Sequence, residues 1–298
     1  MSSSRYLYYL KHKMEGTMEK KITKIMIEEY RQHLYEQEKS KATIQKYMCD
    51  LNKLIEFVDN KEISKLLIIQ YKEYLKENKD YKTSSINSFL VAANRFFEFM
   101  GWYEFRVKTF KLQKKTFMSK SHELSKQEYR QLVEAAISNG KIRIGMIIQT
   151  ICATGIRVSE LSAITVSSVK KGVATIYNKG KERVILIPRN LQVKLLSYVR
   201  KQKIQYGLVF KTSKGKAVDR TWIWREMKKL CAIADVSREK VFPHNLRHLF
   251  ARTFYSIYND ISKLADILGH SSVETTRIYL KESYLEHQKK IEKLNLIV

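Results

Sequence analysis

The chain has 298 residues, and its 56 Lys and Arg against 30 Asp and Glu give a formal net charge of +26. Such a charge is best offset by a polyanionic partner, and a nucleic acid is favoured over the alternative that it only reflects a basic proteome. No run of about 18 apolar residues could span a membrane, and the N-terminus lacks the apolar stretch of a secretory signal. We therefore expect a cytoplasmic protein without a membrane partner.

The residue types favour a mainly helical, reduced protein. Only 10 Gly and 2 Pro interrupt the chain, while Lys, Leu, Ile and Glu are abundant. The cysteines Cys49, Cys152 and Cys231 are widely spaced and form no CxxC pair or zinc-like cluster with histidine. We expect free thiols and no metal site.

The N-terminal third is predicted to be a small helical domain. Residues 1–18 form an extension without clear periodicity, and residues 19–105 carry four stretches of apolar residues at helical spacing. The second helix should begin at Ser40, and the fourth should end at Gly101.

Residues 106–122 are predicted to be a basic linker. From Arg106 to Lys120 the segment has six basic residues and no acidic ones. It could be a solvated connection, which is what runs of like charge usually are, or it could lie along a phosphate backbone. The two interpretations are compatible. The candidate DNA contacts are Lys108, Lys111, Lys114 and Lys115.

Residues 123–298 are predicted to form a second domain that is mainly α with a small β-hairpin. Ser125 and Glu128 have capping-box spacing. The hairpin should pair 172–178 with 183–187. The predicted helices cover 142–154, a short turn from 158, 191–206, 221–234, 244–258, 262–268 and 272–280, and an amphipathic tail helix covers 284–298.

Several residues of this domain could carry chemistry, but each has a structural explanation when taken alone. Arg157 could cap the helix before it. His244 and Arg247 share one face of a helix N-terminus, which suits a phosphate. His270 follows Gly269 at a corner between two helices, where Ser271 and Glu274 have capping-box spacing. Tyr279 is one of 18 tyrosines, most of which must be packing or surface residues.

The ordered set of segments resembles the tyrosine recombinase (phage integrase-like) family. The resemblance rests on ATGIRVSELSAI at 153–164, YNKGKERVILIP at 177–188, PHNLRHLFARTF at 243–254 and LADILGHSSVETTRIYL at 264–280. Order, spacing and flanking residues agree over nearly the whole chain, which looks most similar to compact Xer-like recombinases and short mobile-element integrases. The resemblance implies the catalytic residues Arg157, Lys179, His244, Arg247, His270 and Tyr279. Lys181 is an alternative to Lys179, because the hairpin is one residue shorter than the family pattern.

The resemblance also implies the reaction. Tyr279 would attack a phosphodiester and form a 3′-phosphotyrosine, which stores the bond until a 5′-hydroxyl attacks it. Two arginines and His270 would stabilise the transition state, His244 would be the general base, and Lys179 the general acid. Glu160 could orient Arg157 or His244 without itself contacting the substrate. No metal, nucleotide or other cofactor is implied.

The implied partner is double-stranded DNA with a specific recombination site, held by a C-shaped clamp of the two domains. The resemblance further implies a homotetramer, or a heterotetramer with a paralogue, on two DNA sites. The tail 284–298 could dock on a neighbouring protomer or pack on its own. A directionality factor or a DNA translocase could take part, and the location would be the nucleoid.

Two other functions remain open at this point. A type IB topoisomerase uses the same chemistry to relax DNA, and a non-catalytic DNA-binding protein could share the fold. The compact Xer-like layout and the apolar tail argue against the topoisomerase, and the presence of every catalytic position argues against the non-catalytic protein. The biological role could be integration and excision of a mobile element, resolution of replicon dimers, or inversion of a DNA switch.

Overall fold

A computed structural model describes residues 20–111, 122–178, 181–270, 272–280 and 292–293. These residues are mainly helical, with one two-stranded antiparallel sheet, which confirms the predicted fold class. The chain divides into two compact units, Met1–Lys114 and Lys115–Val298. The predicted extension 1–18 and nearly all of the tail 284–298 lie outside the described residues. In the part of the chain that is described, no helix is long and apolar enough to cross a membrane.

The first unit contains the four predicted helices: α1 (Lys24–Glu36), α2 (Lys41–Val58), α3 (Lys65–Glu77) and α4 (Thr83–Met100). Ser40 caps α2 as predicted, with its side chain accepting from the backbone N–H of Thr43. Gly101 ends α4 in the left-handed conformation, at φ 75°. Leu51, Leu90 and Phe96 lie in the apolar core between the helices, fully buried.

The first part of the basic segment 106–122 is bound to this unit through its backbone, while Lys108 and Lys111 are exposed. Val107 exchanges two hydrogen bonds with the Asn94 amide, at 2.9 and 2.8 Å. Phe110 exchanges two with the Asn87 amide, at 2.8 and 2.9 Å. Asn87 and Asn94 are seven residues apart on one face of α4, so the segment runs antiparallel to the helix. Residues 112–121 are not among the described residues.

The second unit contains α5 (Lys126–Ser138), α6 (Ile142–Thr154), α7 (Val166–Lys171), β1 (Val173–Asn178), β2 (Lys181–Leu186), α8 (Arg189–Lys201), α9 (Arg220–Leu230), α10 (Pro243–Tyr258), α11 (Ile261–Leu268) and α12 (Val273–Arg277). Short 3-10 helices cover Val158–Ala163, Arg238–Lys240 and Ile278–Leu280. The hairpin register runs from Val173 opposite Leu186 to Asn178 opposite Lys181.

The boundaries of the second unit follow its capping residues. Ser125 and Glu128 form the predicted capping box at the start of α5. The predicted box of Ser271 with Glu274 is wrong: Ser272 is the N-cap of α12 and accepts from the backbone N–H of Glu274 at 3.2 Å. β2 begins at Lys181, two residues earlier than predicted, because those residues still pair with β1.

Helix α6 passes through the middle of this unit, and its apolar residues are buried on almost every side. Helix α10 packs against it. A separate small cluster contains Ala251, Leu264, Leu268 and Tyr279. This packing brings the ends of α6, α10 and α11 together at one place.

Candidate active site

The end of α6 positions Arg157 and Glu160. Gly155 terminates the helix in the left-handed conformation at φ 64°, and the following 3-10 turn opens at Arg157. Glu160 accepts from Arg157 twice, at 2.9 Å from Nη1 and at 2.9 Å from the backbone N–H. Arg157 Nη2 also donates to the carbonyl of Gly269, at 3.3 Å. Glu160 therefore holds Arg157 within its own turn.

Helix α10 carries the second arginine into the interior. Pro243 begins the helix, where a missing N–H costs nothing. Arg247 is only 1% exposed. Its Nη1 donates to the carbonyl of Gly155, and its Nη2 donates to the carbonyl of Leu268 at 2.7 Å. Arg247, rather than Arg157, thus contacts the end of α6.

The corner between α11 and α12 places His270. Its Nε2 lies 2.9 Å from Arg247 Nη2, and its Nδ1 lies 2.8 Å from the hydroxyl oxygen of Thr276. Gly269 ends α11 at φ 63°, and a Cβ there would overlap the side chain of Arg183. Glycine is therefore required by both the backbone conformation and the close approach of an arginine.

Tyr279 is buried beside these residues, with 6% of its surface exposed. Its ring stacks on His270 with centroids 5.5 Å apart and planes 8° apart. The rings of His244 and His248 lie 5.5 and 4.3 Å away. The predicted nucleophile thus lies against three histidines of its own chain.

Arg183 completes the cluster, and the sequence analysis did not identify it. From β2 it donates to Glu160 Oε2 at 2.7 Å through Nη2 and to the carbonyl of Leu268 through Nη1. Its position in the KER segment of the hairpin was the available signal. We call Arg157, Arg183 and Arg247 with Glu160 the arginine cluster. Arg157 and Arg183 share the carboxylate of Glu160, while Arg247 has no ion pair among the described residues. The buried Nε groups of Arg183 and Arg247 have no hydrogen-bond partner among the described residues.

The excess of positive charge also acts on the histidines. Burial, followed by Arg247 and Arg157, lowers the pKa of His244 below its ordinary value and lowers that of His270 to about 4. Burial, followed by His244, lowers the pKa of His248 to about 3. All three rings are therefore neutral near pH 7. A neutral imidazole can accept a proton, and the cluster around it can receive an anion.

The structure brings together five of the six predicted catalytic residues, with Glu160 beside them. The sixth, Lys179, lies outside the described residues. Lys181 pairs with Asn178 in the sheet, but its side chain is not described. Among the predicted DNA contacts, Lys108 and Lys111 are exposed on the first unit, and Lys114 and Lys115 lie outside the description. His248 and Thr276 were also missed, because nothing in their local spacing separates them from packing residues.

A helical unit followed by a mainly helical unit, with a buried tyrosine beside arginines and histidines, is the arrangement of a tyrosine recombinase. Residues 122–286 match the Phage integrase family, and residues 27–103 match the Phage integrase N-terminal SAM-like domain. The chain therefore belongs to the Phage integrase family. It is an enzyme, a tyrosine-type site-specific recombinase.

Curated relatives and solved structures agree with this membership. The chain is 30% identical to tyrosine recombinase XerA of Pyrococcus furiosus over 288 residues, which cover 94% of this chain and 97% of that one. It is 26% identical to tyrosine recombinase XerD of Vibrio cholerae over 278 residues, covering 85% and 92%. XerH bound to its palindromic difH substrate shares the fold, with a TM-score of 0.69, 18% identity, and coverage of 86% and 80%. A lambda integrase dimer bound to a core site has a TM-score of 0.70, 15% identity, and coverage of 94% and 81%.

Proposed function

We propose that Tyr279 is the nucleophile with which this recombinase cleaves DNA. Its hydroxyl oxygen attacks a backbone phosphate, the 5′-oxygen leaves, and a 3′-phosphotyrosine is formed. A 5′-hydroxyl of another strand then attacks the phosphotyrosine and releases Tyr279, so each step exchanges one ester for another. The observation that carries the proposal is the burial of Tyr279 against His244 and His270 at the edge of the arginine cluster.

The arginine cluster would receive the phosphate. Arg157 and Arg247 would donate to the non-bridging oxygens as negative charge gathers on them, with help from His270. Three guanidinium groups around one carboxylate leave positive charge uncompensated in a largely buried place, which favours a bound anion. We assign to Arg183 and Glu160 the task of holding these donors in place before DNA arrives.

Two proton transfers accompany the exchange. His244 would take the proton of the Tyr279 hydroxyl, and its lowered pKa keeps the imidazole neutral and able to accept near pH 7. Lys179, or Lys181 in its place, would protonate the departing 5′-oxygen. No metal or nucleotide has a part in this scheme.

The substrate would be double-stranded DNA with a specific recombination site. Relatives of known structure include XerH bound to difH and a lambda integrase tetramer bound to a Holliday junction. By analogy, both units would contact DNA, four copies would act on two sites, and the tail 284–298 would dock on a neighbour. Lys108, Lys111, Lys114 and Lys115 would contact phosphates, so binding should weaken steeply with salt.

The biological role would be integration and excision of a mobile element or resolution of replicon dimers. Either role places the protein at the nucleoid of the cytoplasm. A directionality factor or a DNA translocase would be an additional partner.

A suicide-substrate assay tests the proposal. The purified chain is incubated in EDTA with nicked duplexes that carry candidate sites from beside its own gene, and a denaturing gel is scored for a covalent adduct. We expect an adduct with the natural chain and none with Tyr279→Phe, while Tyr177→Phe, at an exposed tyrosine of β1, serves as the matched control. Tight binding without an adduct would indicate a non-catalytic DNA-binding protein. Relaxation of supercoiled DNA without exchange between two sites would indicate a type IB topoisomerase.

A further inference from the structure

Thr276 makes a buried contact that the proposed function does not use. It lies on α12, three residues before Tyr279, and its side chain is fully buried. Its hydroxyl oxygen is 2.8 Å from Nδ1 of His270. A hydroxyl group can donate or accept a hydrogen bond, so the contact can serve either protonation state of that nitrogen.

The other ring nitrogen of His270 fixes the tautomer in this structure. Nε2 lies 2.9 Å from Arg247 Nη2, and a guanidinium group can only donate. Nε2 must therefore accept, and the single proton of the neutral ring must reside on Nδ1. Nδ1 in turn donates to the Thr276 hydroxyl oxygen.

The proposed reaction requires the opposite tautomer. To donate to a phosphate oxygen, His270 needs its proton on Nε2, which leaves Nδ1 as an acceptor. The charged and titratable groups that face or influence this ring are Arg157, Arg183, Arg247, His244 and Tyr279. Four of them are cationic or can become so, which opposes a second proton on the ring. The change that keeps the ring neutral is an exchange of tautomers, in which solvent water takes the proton from Nδ1 and delivers one to Nε2.

We propose that Thr276 is a positioning residue that holds His270 in both tautomers. In the free protein its hydroxyl accepts from Nδ1–H while Arg247 donates to Nε2. When a phosphate draws the donors of Arg247 away, the Thr276 hydroxyl turns and donates to Nδ1, and Nε2–H points to the phosphate. The tautomer in the free chain is inferred from the geometry of that chain. The change of tautomer when a phosphate binds rests on the proposed function.

The isosteric variant Thr276→Val removes the hydroxyl without changing the size of the side chain, and Thr276→Ser restores it. Thr275→Val is the matched control, because Thr275 is exposed on the same turn. We expect Thr276→Val to slow adduct formation by about tenfold at saturating DNA, as for one lost buried hydrogen bond. Serine should recover most of the rate, and the DNA concentration at half-saturation should not change.

Nitrogen NMR of the full chain with ¹⁵N-labelled histidine gives a readout that does not depend on activity. His270 signals are assigned with His270→Asn. In the free natural chain the proton should be on Nδ1. In a Tyr279→Phe chain bound to an intact duplex it should be on Nε2. In free Thr276→Val the proton should stay on Nδ1, because Arg247 still donates to Nε2, but the Nδ1 signal should shift because its hydrogen bond to the Thr276 hydroxyl is lost.

A free natural chain with the proton on Nε2 would overturn the inference, even if the valine variant did not fold. Equal rates for Thr276→Val and the natural chain would also overturn it. If the natural chain forms no adduct at all, the proposed function fails, while the tautomer of the free chain still decides whether Thr276 holds His270.

Discussion

The two units of this chain differ in how fully their buried charged side chains are paired. In the first unit, the carboxylate of Asp50 is buried but receives hydrogen bonds from Lys46 and Ser88. The amides of Asn87 and Asn94 are each matched to one backbone N–H and one carbonyl. The unpaired buried side-chain groups described there are two uncharged tyrosine hydroxyls.

In the second unit, by contrast, the arginine cluster has more positive charge than its one carboxylate can offset. The buried guanidinium nitrogens without a partner also belong to this unit, at Arg183, Arg247 and Arg252. A folded protein keeps unpaired buried charge only where it is compensated elsewhere or used. The comparison therefore separates a unit whose described buried charges are paired from one with an excess of buried positive charge, which is the feature that the proposed phosphate site would use.

The largest expected effect comes from Arg247→Lys. Lysine keeps the charge, but its single nitrogen does not reproduce the two-nitrogen fork with which Arg247 reaches Gly155, Leu268 and His270. We expect the rate of adduct formation to fall by about 10³-fold, as for the loss of a preorganised donor to a developing oxyanion. The control is Arg252→Lys on the same helix, where the contacts are with Glu123 and Leu124. Equal losses of rate in both variants would mean that Arg247 only anchors helix α10 and does not stabilise the reacting phosphate.

Replacing His244 by Gln should have the next largest effect, about 10²-fold on the same rate. Since burial and two arginines lower the pKa of His244 below 6.5, the base is protonated only in more acidic solution. The rate of the natural chain should therefore be flat around neutral pH and fall only below pH 6.5, and the His244→Gln variant should lose this acid limb. A limb centred above pH 6.5, or one that persists in the variant, would contradict the assignment of His244 as the base. His122→Gln, at an exposed histidine, should keep it.

The variant Glu160→Gln removes the one carboxylate of the arginine cluster. The guanidinium groups of Arg157 and Arg183 would then face each other without compensation. We expect the free energy of unfolding of the second unit to fall by about 3 kcal/mol, as for a broken buried ion pair. Glu56→Gln is the control, because its pair with Lys53 is exposed and should be worth less than about 1 kcal/mol. Urea unfolding measures both, and equal changes would show that the cluster needs no carboxylate.

The smallest expected effect concerns the first unit, where the side-chain amide of Asn94 binds the backbone of Val107. Asn94→Leu keeps the size of the side chain but leaves the N–H and carbonyl of Val107 without their partner. The first unit should lose about 1–3 kcal/mol, and the Val107 amide should exchange its hydrogen faster. Gln32→Leu removes an exposed hydrogen bond to Glu36 and should change neither quantity. Unchanged exchange at Val107 in the Asn94 variant would mean that the segment 106–111 is held by its apolar contacts alone.

Much of the local structure was determined by the sequence itself, because its signals lie within a few residues of one another. Ser40 and Gly101 set the ends of their helices through capping bonds that a reader of the sequence can anticipate. The four family segments likewise identified Arg157, His244, Arg247, His270 and Tyr279 as one set. Local signals erred where two candidates adjoin, as when Ser272 rather than Ser271 capped α12.

Only the tertiary structure decided which residues support that set. Arg183 reaches Glu160 across 23 positions of sequence, and Arg247 reaches the carbonyl of Gly155 across 92. Asn94 binds Val107 because a helix and the chain that follows it lie side by side. Such partners are chosen by packing between distant segments, and no pattern of period or spacing records which arginine will meet which carbonyl. The tautomer of His270 belongs to the same class, since it depends on a donor and a hydroxyl contributed by two different helices.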